Sequence, residues 1–167
     1  EKFKFNLNVS INRSEIDNVK MGRGTNEDVG LLASALLFDP TIGPEVNSEG
    51  YYDVNPLVAI ENPEAILQGW DQQVSSNRIY ATSSIDYEII EGLTATARFG
   101  SNLSDSRLDR YENDKFQVGR GVNGRSTIRN NESNYWIAEY LAQYNKEFGD
   151  HNLKFLAGIT YESNTTR

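Results

Sequence analysis

Apolar and polar side chains alternate strictly along five segments of this 167-residue chain, a period-two pattern that predicts β-strands with two different faces. The first segment is the clearest, because one polar residue separates each of Phe3, Phe5, Leu7, Val9 and Ile11 from the next. The five predicted strands lie near residues 2–14, 77–90, 93–104, 134–147 and 152–163. A tilted strand of about 10 residues is long enough to cross a bilayer.

Away from the strand ends, where Arg13, Glu15 and Lys146 are exceptions, charge is confined to one face of these predicted strands. The charged residues on the polar parity are Lys4, Arg78, Asp86, Glu88, Arg98, Glu139, Lys154 and Glu162, and mid-strand positions of the apolar parity carry none. An Arg or Lys facing lipid costs about 2–4 kcal/mol at the bilayer midplane, so a transmembrane β-barrel selects this distribution. The core of a soluble β-sandwich selects it too, and a soluble binding or adhesin module is therefore the alternative interpretation.

Two short turns fit the parity of the strands that they join. The second and third strands carry apolar residues at odd positions, which requires an odd loop, and Ile90-Glu91-Gly92 fits with Gly92 in the left-handed conformation. The fourth and fifth strands have opposite parity, and Gly149-Asp150 is the even loop that pairs Phe148 with His151.

The other two connections, residues 17–76 and 105–133, are predicted to be long loops. Loops of this length are uncommon in compact soluble domains and usually have a function. Short turns on one side and long loops on the other are typical of outer-membrane barrels. This asymmetry favours the barrel over the sandwich.

The first long loop contains a predicted helix, residues 26–38, with Thr25 or Asn26 as its N-cap and Asp39-Pro40 after its end. Its apolar side chains recur at helical spacing, which predicts that they pack on the rest of the loop or on the mouth of the barrel. They are Val29, Leu32, Ala33, Leu36 and Leu37.

Composition excludes several classes of protein. The 24 acidic and 16 basic residues give a net charge of −8, which argues against a nucleic-acid partner. There is no cysteine, so neither a disulfide nor a thiolate metal site can form. No apolar run approaches the roughly 20 residues of a membrane helix.

The sequence contains no motif that specifies catalysis or metal binding, so the chain is predicted not to be an enzyme and to hold no cofactor. Gly119 to Gly124 read GRGVNG, but the dinucleotide fingerprint needs a following helix, and RSTIRNNES predicts none. His151 is the only histidine and lies in a predicted turn, which argues against a histidine metal site or a catalytic triad. The pairs Glu61 with Glu64 and Asp86 with Glu88 are interpreted as solvated or lumen-facing charge.

Through the order and spacing of three groups of residues, the chain resembles SusC/RagA-type TonB-dependent transporters of the Gram-negative outer membrane. The first is a strand, a turn and a strand with Ile90, Gly92, Leu93 and Gly100. The second is the run Phe148 to His151 followed by Leu156 to Gly158. The third is the loop order Ala35, Leu36, Pro40, Thr41, Asn55 and Pro56. The resemblance covers nearly the whole chain except residues 106–132.

The resemblance implies a barrel of about 22 strands with an N-terminal plug. It further implies import of oligosaccharides or peptides with energy from the TonB complex, beneath a SusD-like surface lipoprotein. Residues 1–167 are then interpreted as one partial barrel domain in outer-membrane lipid, without the plug, the TonB-contacting segment or the remaining strands. The fold class expected is all-β, about five antiparallel strands of an up-and-down barrel with long extracellular loops, one of which carries a short helix.

Three aromatic residues of the first long loop, Tyr51, Tyr52 and Trp70, are candidate contacts for the substrate or for the lipoprotein lid. Aromatic side chains beside Asp and Asn can stack on sugars or peptides. They can equally anchor the loop on itself, and both interpretations are kept.

Overall fold

The computed structural model describes residues 2–22 and 29–167. The strands are β1 (Phe3–Asp17), β2 (Trp70–Ile90), β3 (Leu93–Glu112), β4 (Arg125–Phe148) and β5 (His151–Thr166). The helices are α1 (Leu31–Leu37), α2 (Pro63–Gly69) and α3 (Gln117–Arg120). Among the residues described, no helix has the length and apolarity needed to cross a membrane.

The predicted all-β fold class is confirmed, because the five strands form one antiparallel, up-and-down sheet in chain order, β1-β2-β3-β4-β5. Strands β4 and β5 pair from Ser133 with Thr166 down to Phe148 with His151, which is the register that the parity of the turn predicts. Gly92 and Gly149 have φ of 82° and 59°, in the left-handed region that favours glycine.

The strands are longer and the two loops shorter than the hydrophobic pattern predicts. The predicted loop 17–76 is reduced to residues 18–69, and the predicted loop 105–133 to residues 113–124. The added strand residues are mostly polar, and the few apolar ones among them do not alternate regularly, so no period of two marks these extensions in the sequence. Their pairing relies on backbone hydrogen bonds, and polar side chains such as Asn77 and Asp105 bond across it, with Nδ2 3.0 Å from Oδ2.

The chain forms two compact units. Unit 1 comprises Glu1–Arg13, Ser76–Ser106 and Asn131–Arg167, and unit 2 comprises Ser14–Ser75 and Arg107–Asn130.

In unit 1, the apolar face of the strands is exposed instead of being buried in a core. Leu7 is 59% exposed and Phe155 is 61% exposed. Other exposed members of this face are Phe3, Phe5, Val9, Ile11, Ile79, Ile85, Ile89, Phe99, Leu153 and Ile159. A β-sandwich needs a second sheet packed on this face, and the five strands found in residues 2–22 and 29–167 all belong to one sheet. The sandwich alternative therefore lacks its second layer in this part of the chain.

Unit 2 contains the buried residues of the two connections. Its apolar core consists of Val29, Tyr52, Ile60, Ala65, Ile66 and Phe116. Buried polar side chains accompany them, namely Lys20, Ser34, Asn55, Glu61, Asn62 and Glu112. Because half of these buried groups are polar, hydrogen bonds and not only apolar packing must hold unit 2 together.

Helix α1 corrects the expectation for the apolar stripe. The residue that this helix buries is Ser34, whereas Leu32, Leu36 and Leu37 are 76%, 77% and 60% exposed. The predicted packing of the stripe on the rest of the loop is therefore wrong for these leucines, whereas packing on the mouth of the barrel stays a prediction. The predicted N-cap positions, residues 25 and 26, lie outside the residues that the structure describes.

Helix α2 is absent from the expectations drawn from the sequence, although its start carries a clear signal. Asn62 is the N-cap, and its side chain accepts a hydrogen bond from the Glu64 amide at 3.0 Å. Pro63 follows at the first helical position, where proline is favoured.

Candidate functional site

The centre of unit 2 is the dipeptide Glu61-Asn62, in which each residue is only 2% exposed. The side-chain amide nitrogen of Asn62, Nδ2, donates to the carbonyl oxygens of Gly43, at 3.3 Å, and Asp53, at 3.2 Å. The hydroxyl of Ser34 in α1 donates to the carbonyl oxygen of Glu61. These hydrogen bonds connect α1, α2 and the turns between them to the buried residues Glu61 and Asn62.

The Glu61 carboxylate extends this network to the second connection. Its Oε2 accepts the backbone N–H of Gln117, the first residue of α3, at 2.7 Å. The two residues are 56 positions apart in the chain, so this bond joins the β1–β2 and β3–β4 connections within unit 2.

Burial raises the pKa of the Glu61 carboxyl, because removal from water penalises the charged form. The amides of Gln117 and Asn62 oppose this rise by donating to the carboxylate, and the positive charges of Arg120 and Lys20 oppose it further. The net direction is upward, so Glu61 holds its proton more tightly than an exposed glutamate does.

Phe116, just before α3, is 1% exposed and is the largest fully buried side chain among the residues that the structure describes. Its ring meets that of Trp70 edge to face, with 6.2 Å between the ring centroids. The Lys20 ammonium lies 5.4 Å from the Phe116 centroid and also donates to the Val29 carbonyl at 2.8 Å. Phe116 thus anchors the β3–β4 connection on the first one.

Arg120, at the end of α3, contacts two of the three predicted site residues. Its guanidinium carbon lies 4.3 Å from the centroid of the Tyr51 ring, and its Nη2 donates to the carbonyl oxygen of Tyr52 at 3.1 Å. Tyr51 is half-buried, while Tyr52 is 8% exposed and belongs to the core. The burial of Tyr52 is what the loop-anchoring interpretation expects.

Trp70 has different partners from the tyrosines. It starts β2, is half-buried, contacts Phe116, and has the Arg110 guanidinium 4.9 Å from its ring centroid. The structure therefore brings Tyr51 and Tyr52 together at Arg120 and places Trp70 in a separate aromatic and cationic cluster of unit 2. A contact of any of the three with a substrate or a lid stays a prediction.

The glycine-rich run Gly119 to Gly124 serves backbone geometry. A Cβ on Gly119 would collide with the carbonyl oxygen of Asn113. Asn123 and Gly124 have φ of 55° and 100°, which reverse the chain before β4. Arg120, within this run, was missed by reasoning from the sequence, because its partners are 68 and 69 positions away and no local pattern marks them.

In unit 1, a concavity of ≈ 330 Å³ lies among side chains of the polar parity, including Asn6, Thr82, Arg98, Tyr135 and Glu139. Side-chain hydrogen bonds join neighbouring strands on this face. They are Asn6 to Ser84 at 3.0 Å, Thr96 to Asp86 at 2.6 Å, and Tyr135 to Glu162 at 3.1 Å. One face of the sheet in unit 1 is therefore hydrogen-bonded and polar, and the other is apolar and exposed.

Within residues 2–22 and 29–167, no cluster of three or more His, Cys, Asp or Glu side chains has the arrangement of a metal site. No protein-family model matches the chain. Among curated proteins, the TonB-dependent receptor P3 of Formosa agariphila is 30% identical over 165 residues, which is 97% of this chain. The chain spans 16% of the length of that receptor.

Proposed function

From its similarity to a TonB-dependent receptor, we propose that this chain is a segment of the barrel of an outer-membrane TonB-dependent importer of the SusC/RagA type. The similarity supports the TonB-dependent receptor family, and with it outer-membrane, TonB-dependent uptake in general. The proposed substrates are oligosaccharides or peptides. No enzymatic step is assigned to any residue.

The exposed apolar face of unit 1 is the observation that carries this proposal. Soluble proteins rarely expose contiguous apolar patches larger than a few hundred Å². In unit 1, side chains as large as Phe5 and Phe155 are more than half exposed along one face of the sheet. The hydrocarbon core of a bilayer solvates such a face without a penalty, and closure with further strands satisfies the backbone groups at the sheet edges.

The polar face of unit 1 fits the lumen of such a barrel. Arg98 and Glu139 line its concavity together with Asn6 and Thr82, and such side chains suit a water-filled or plug-filled interior. Hydrogen bonds between strands on this face keep the polar groups satisfied at the same time.

The connections folded in unit 2 are proposed to face the cell exterior and to shape substrate entry. Tyr51 and Trp70 are half-buried aromatics that retain surface for a sugar ring, a peptide or a lid. Tyr52, the chain neighbour of Tyr51, is buried in the core of unit 2. A SusD-like surface lipoprotein is the proposed lid, and TonB is proposed to bind an N-terminal part of the importer that lies outside these residues.

Fractionation of the full-length protein tests the proposal. We expect the protein to sediment with outer membranes, to resist extraction by high salt and to require detergent for release, because its apolar faces need hydrocarbon. A periplasmic protein and a known outer-membrane porin from the same cells serve as controls. Recovery with the periplasmic control, without detergent, would contradict the proposed function.

A further inference from the structure

We propose that Arg120 is a positioning residue that sets the pose of the Tyr51 ring for ligand contact, while Tyr52 serves as the anchor beneath it. This inference rests on the proposed function, because it deepens the role of the Tyr51-Tyr52 pair in substrate entry. It assigns a task to the β3–β4 connection, which carries no recognisable motif.

Arg120 contacts both tyrosines with one planar group. Its guanidinium carbon lies over the Tyr51 ring, 4.3 Å from the ring centroid, and its Nη2 donates to the Tyr52 carbonyl at 3.1 Å. An arginine can combine a ring contact with a directed hydrogen bond, because its donors lie in the plane of a flat, delocalised cation. A lysine keeps the charge but has no such plane.

The two tyrosines differ in what remains accessible. Tyr52 is 8% exposed and pairs with Val46 in an isolated bridge, so its ring cannot meet a ligand without opening the loop. The backbone of Tyr51 is fixed by Asn47, whose N–H donates to the Tyr51 carbonyl at 2.7 Å and whose Oδ1 accepts the Tyr51 N–H at 3.1 Å. With the backbone held and the ring half-buried, the Arg120 contact remains to fix the side chain.

Arg120 is itself placed from the opposite end of α3. The Glu61 carboxylate accepts the Gln117 N–H, and Phe116 is buried one residue earlier. The Arg120 and Gly119 amides then donate to the Phe116 carbonyl, at 3.0 and 2.9 Å. The backbone of Arg120 is therefore held by a hydrogen-bonded turn next to a buried aromatic side chain.

Nitration of tyrosine by tetranitromethane, read by mass spectrometry on the full-length protein in detergent, tests the placement without any ligand. In the wild type we expect nitration of Tyr51 and protection of Tyr52. Arg120→Lys should raise nitration of Tyr51 several-fold and leave Tyr52 protected, because the Tyr51 ring loses the guanidinium that lies over it while unit 2 stays folded. Arg129→Lys, at an exposed position of β4, is the matched control and should change neither.

Two nitration outcomes overturn the inference. Unchanged nitration of Tyr51 in Arg120→Lys shows that the guanidinium does not set the ring. Equal nitration of Tyr51 and Tyr52 in Arg120→Lys shows that Arg120 merely keeps unit 2 folded and does not position the Tyr51 ring.

Uptake in cells tests the role in ligand contact, with labelled maltoheptaose, laminarihexaose and tryptic casein peptides as probes. For a probe that the wild type imports, Arg120→Lys and Tyr51→Ala should each raise KM several-fold with an unchanged maximal rate. A lower maximal rate at unchanged KM overturns the positioning role. Absence of import of every probe by the wild type counts against the proposed function, whereas the nitration result still decides the placement of Tyr51.

Discussion

At the scale of single residues, Glu61 combines an unfavourable burial of its carboxyl group with hydrogen bonds that stabilise unit 2. It is 2% exposed, yet it carries a carboxylate that accepts backbone amides from its own neighbour and from α3. A buried acceptor must be satisfied, so each of these bonds offsets part of the cost of taking the charge out of water.

The raised pKa of Glu61 predicts a stability of unit 2 that depends on pH. The folded unit binds the Glu61 proton more tightly than the unfolded chain does, so stability falls as pH rises from the ordinary glutamate pKa through the raised one. Each unit of pKa difference corresponds to about 1.4 kcal/mol. Hydrogen-exchange protection of residues 116–120, measured between pH 4 and 8 at about one-unit steps, should therefore be highest at the acidic end.

Glu61→Gln is the decisive variant for this dependence. It keeps an oxygen that can accept the Gln117 N–H and removes the titration, so the pH dependence of protection should flatten. Glu49→Gln, at an exposed position, should leave the wild-type dependence intact. A dependence that persists in Glu61→Gln would mean that another group is responsible.

At the scale of elements, the tight turns and the face of each strand explain why the sheet of unit 1 has a defined register. Tyr140 lies opposite Ile159 and Tyr144 opposite Phe155 on the apolar face, while Glu139 lies opposite Thr160 on the polar one. A shift by one residue would exchange the two faces, so the pattern and the turn specify the same register.

Gly92 and Gly149 form a matched pair of turn glycines that differ in their surroundings. Both have positive φ, but a Cβ on Gly92 would collide with the Asn145 carbonyl oxygen, whereas nothing lies within 4 Å of one on Gly149. Gly149→Ala should cost about 1 kcal/mol from backbone conformation alone. Gly92→Ala should cost clearly more, because β4 must also move away.

Thermal unfolding of the two alanine variants in detergent, using the full-length protein, measures this difference. Since the Asn145 N–H also donates to the Gly92 carbonyl at 2.7 Å, the loss in Gly92→Ala should extend to hydrogen exchange at Asn145. Equal melting temperatures for the two variants would contradict the steric argument.

At the scale of the whole molecule, the exposure of the apolar face makes a charge substitution informative. Leu7 lies on β1 within this face and is 59% exposed, so an arginine there would be harmless if the face met water. If the face meets lipid, the same arginine should cost about 2–4 kcal/mol. The expected result of the proposed function is therefore a destabilised barrel.

Leu7→Arg and Asn8→Arg should be compared in the full-length protein, because the two positions are adjacent and lie on opposite faces of β1. Asn8 lines the polar concavity, where a charge is tolerated. The measurement is the folded fraction after refolding into lipid vesicles across a series of urea concentrations. Equal folded fractions for the two variants would mean that the Leu7 side chain does not face lipid.

The strands of unit 1, their two faces and the two tight turns can be read from the sequence. These features are local, because a period of two, a glycine with positive φ and the parity of a loop are set by neighbouring residues. The signal for the start of α2 is equally local, because it consists of the adjacent residues Asn62, Pro63 and Glu64. The mostly polar extensions of β2, β3 and β4 carry no such pattern, because pairing of their backbones does not require regularly spaced apolar side chains.

Two features are visible in the folded chain alone. The apolar face has no covering sheet within residues 2–22 and 29–167, and unit 2 is built around Glu61, Phe116 and Arg120. The bonds from Gln117 to Glu61 and from Arg120 to Tyr52 join residues 56 and 68 positions apart. Contacts at that separation depend on how the chain folds back on itself, and the spacing of residues in the sequence does not encode them.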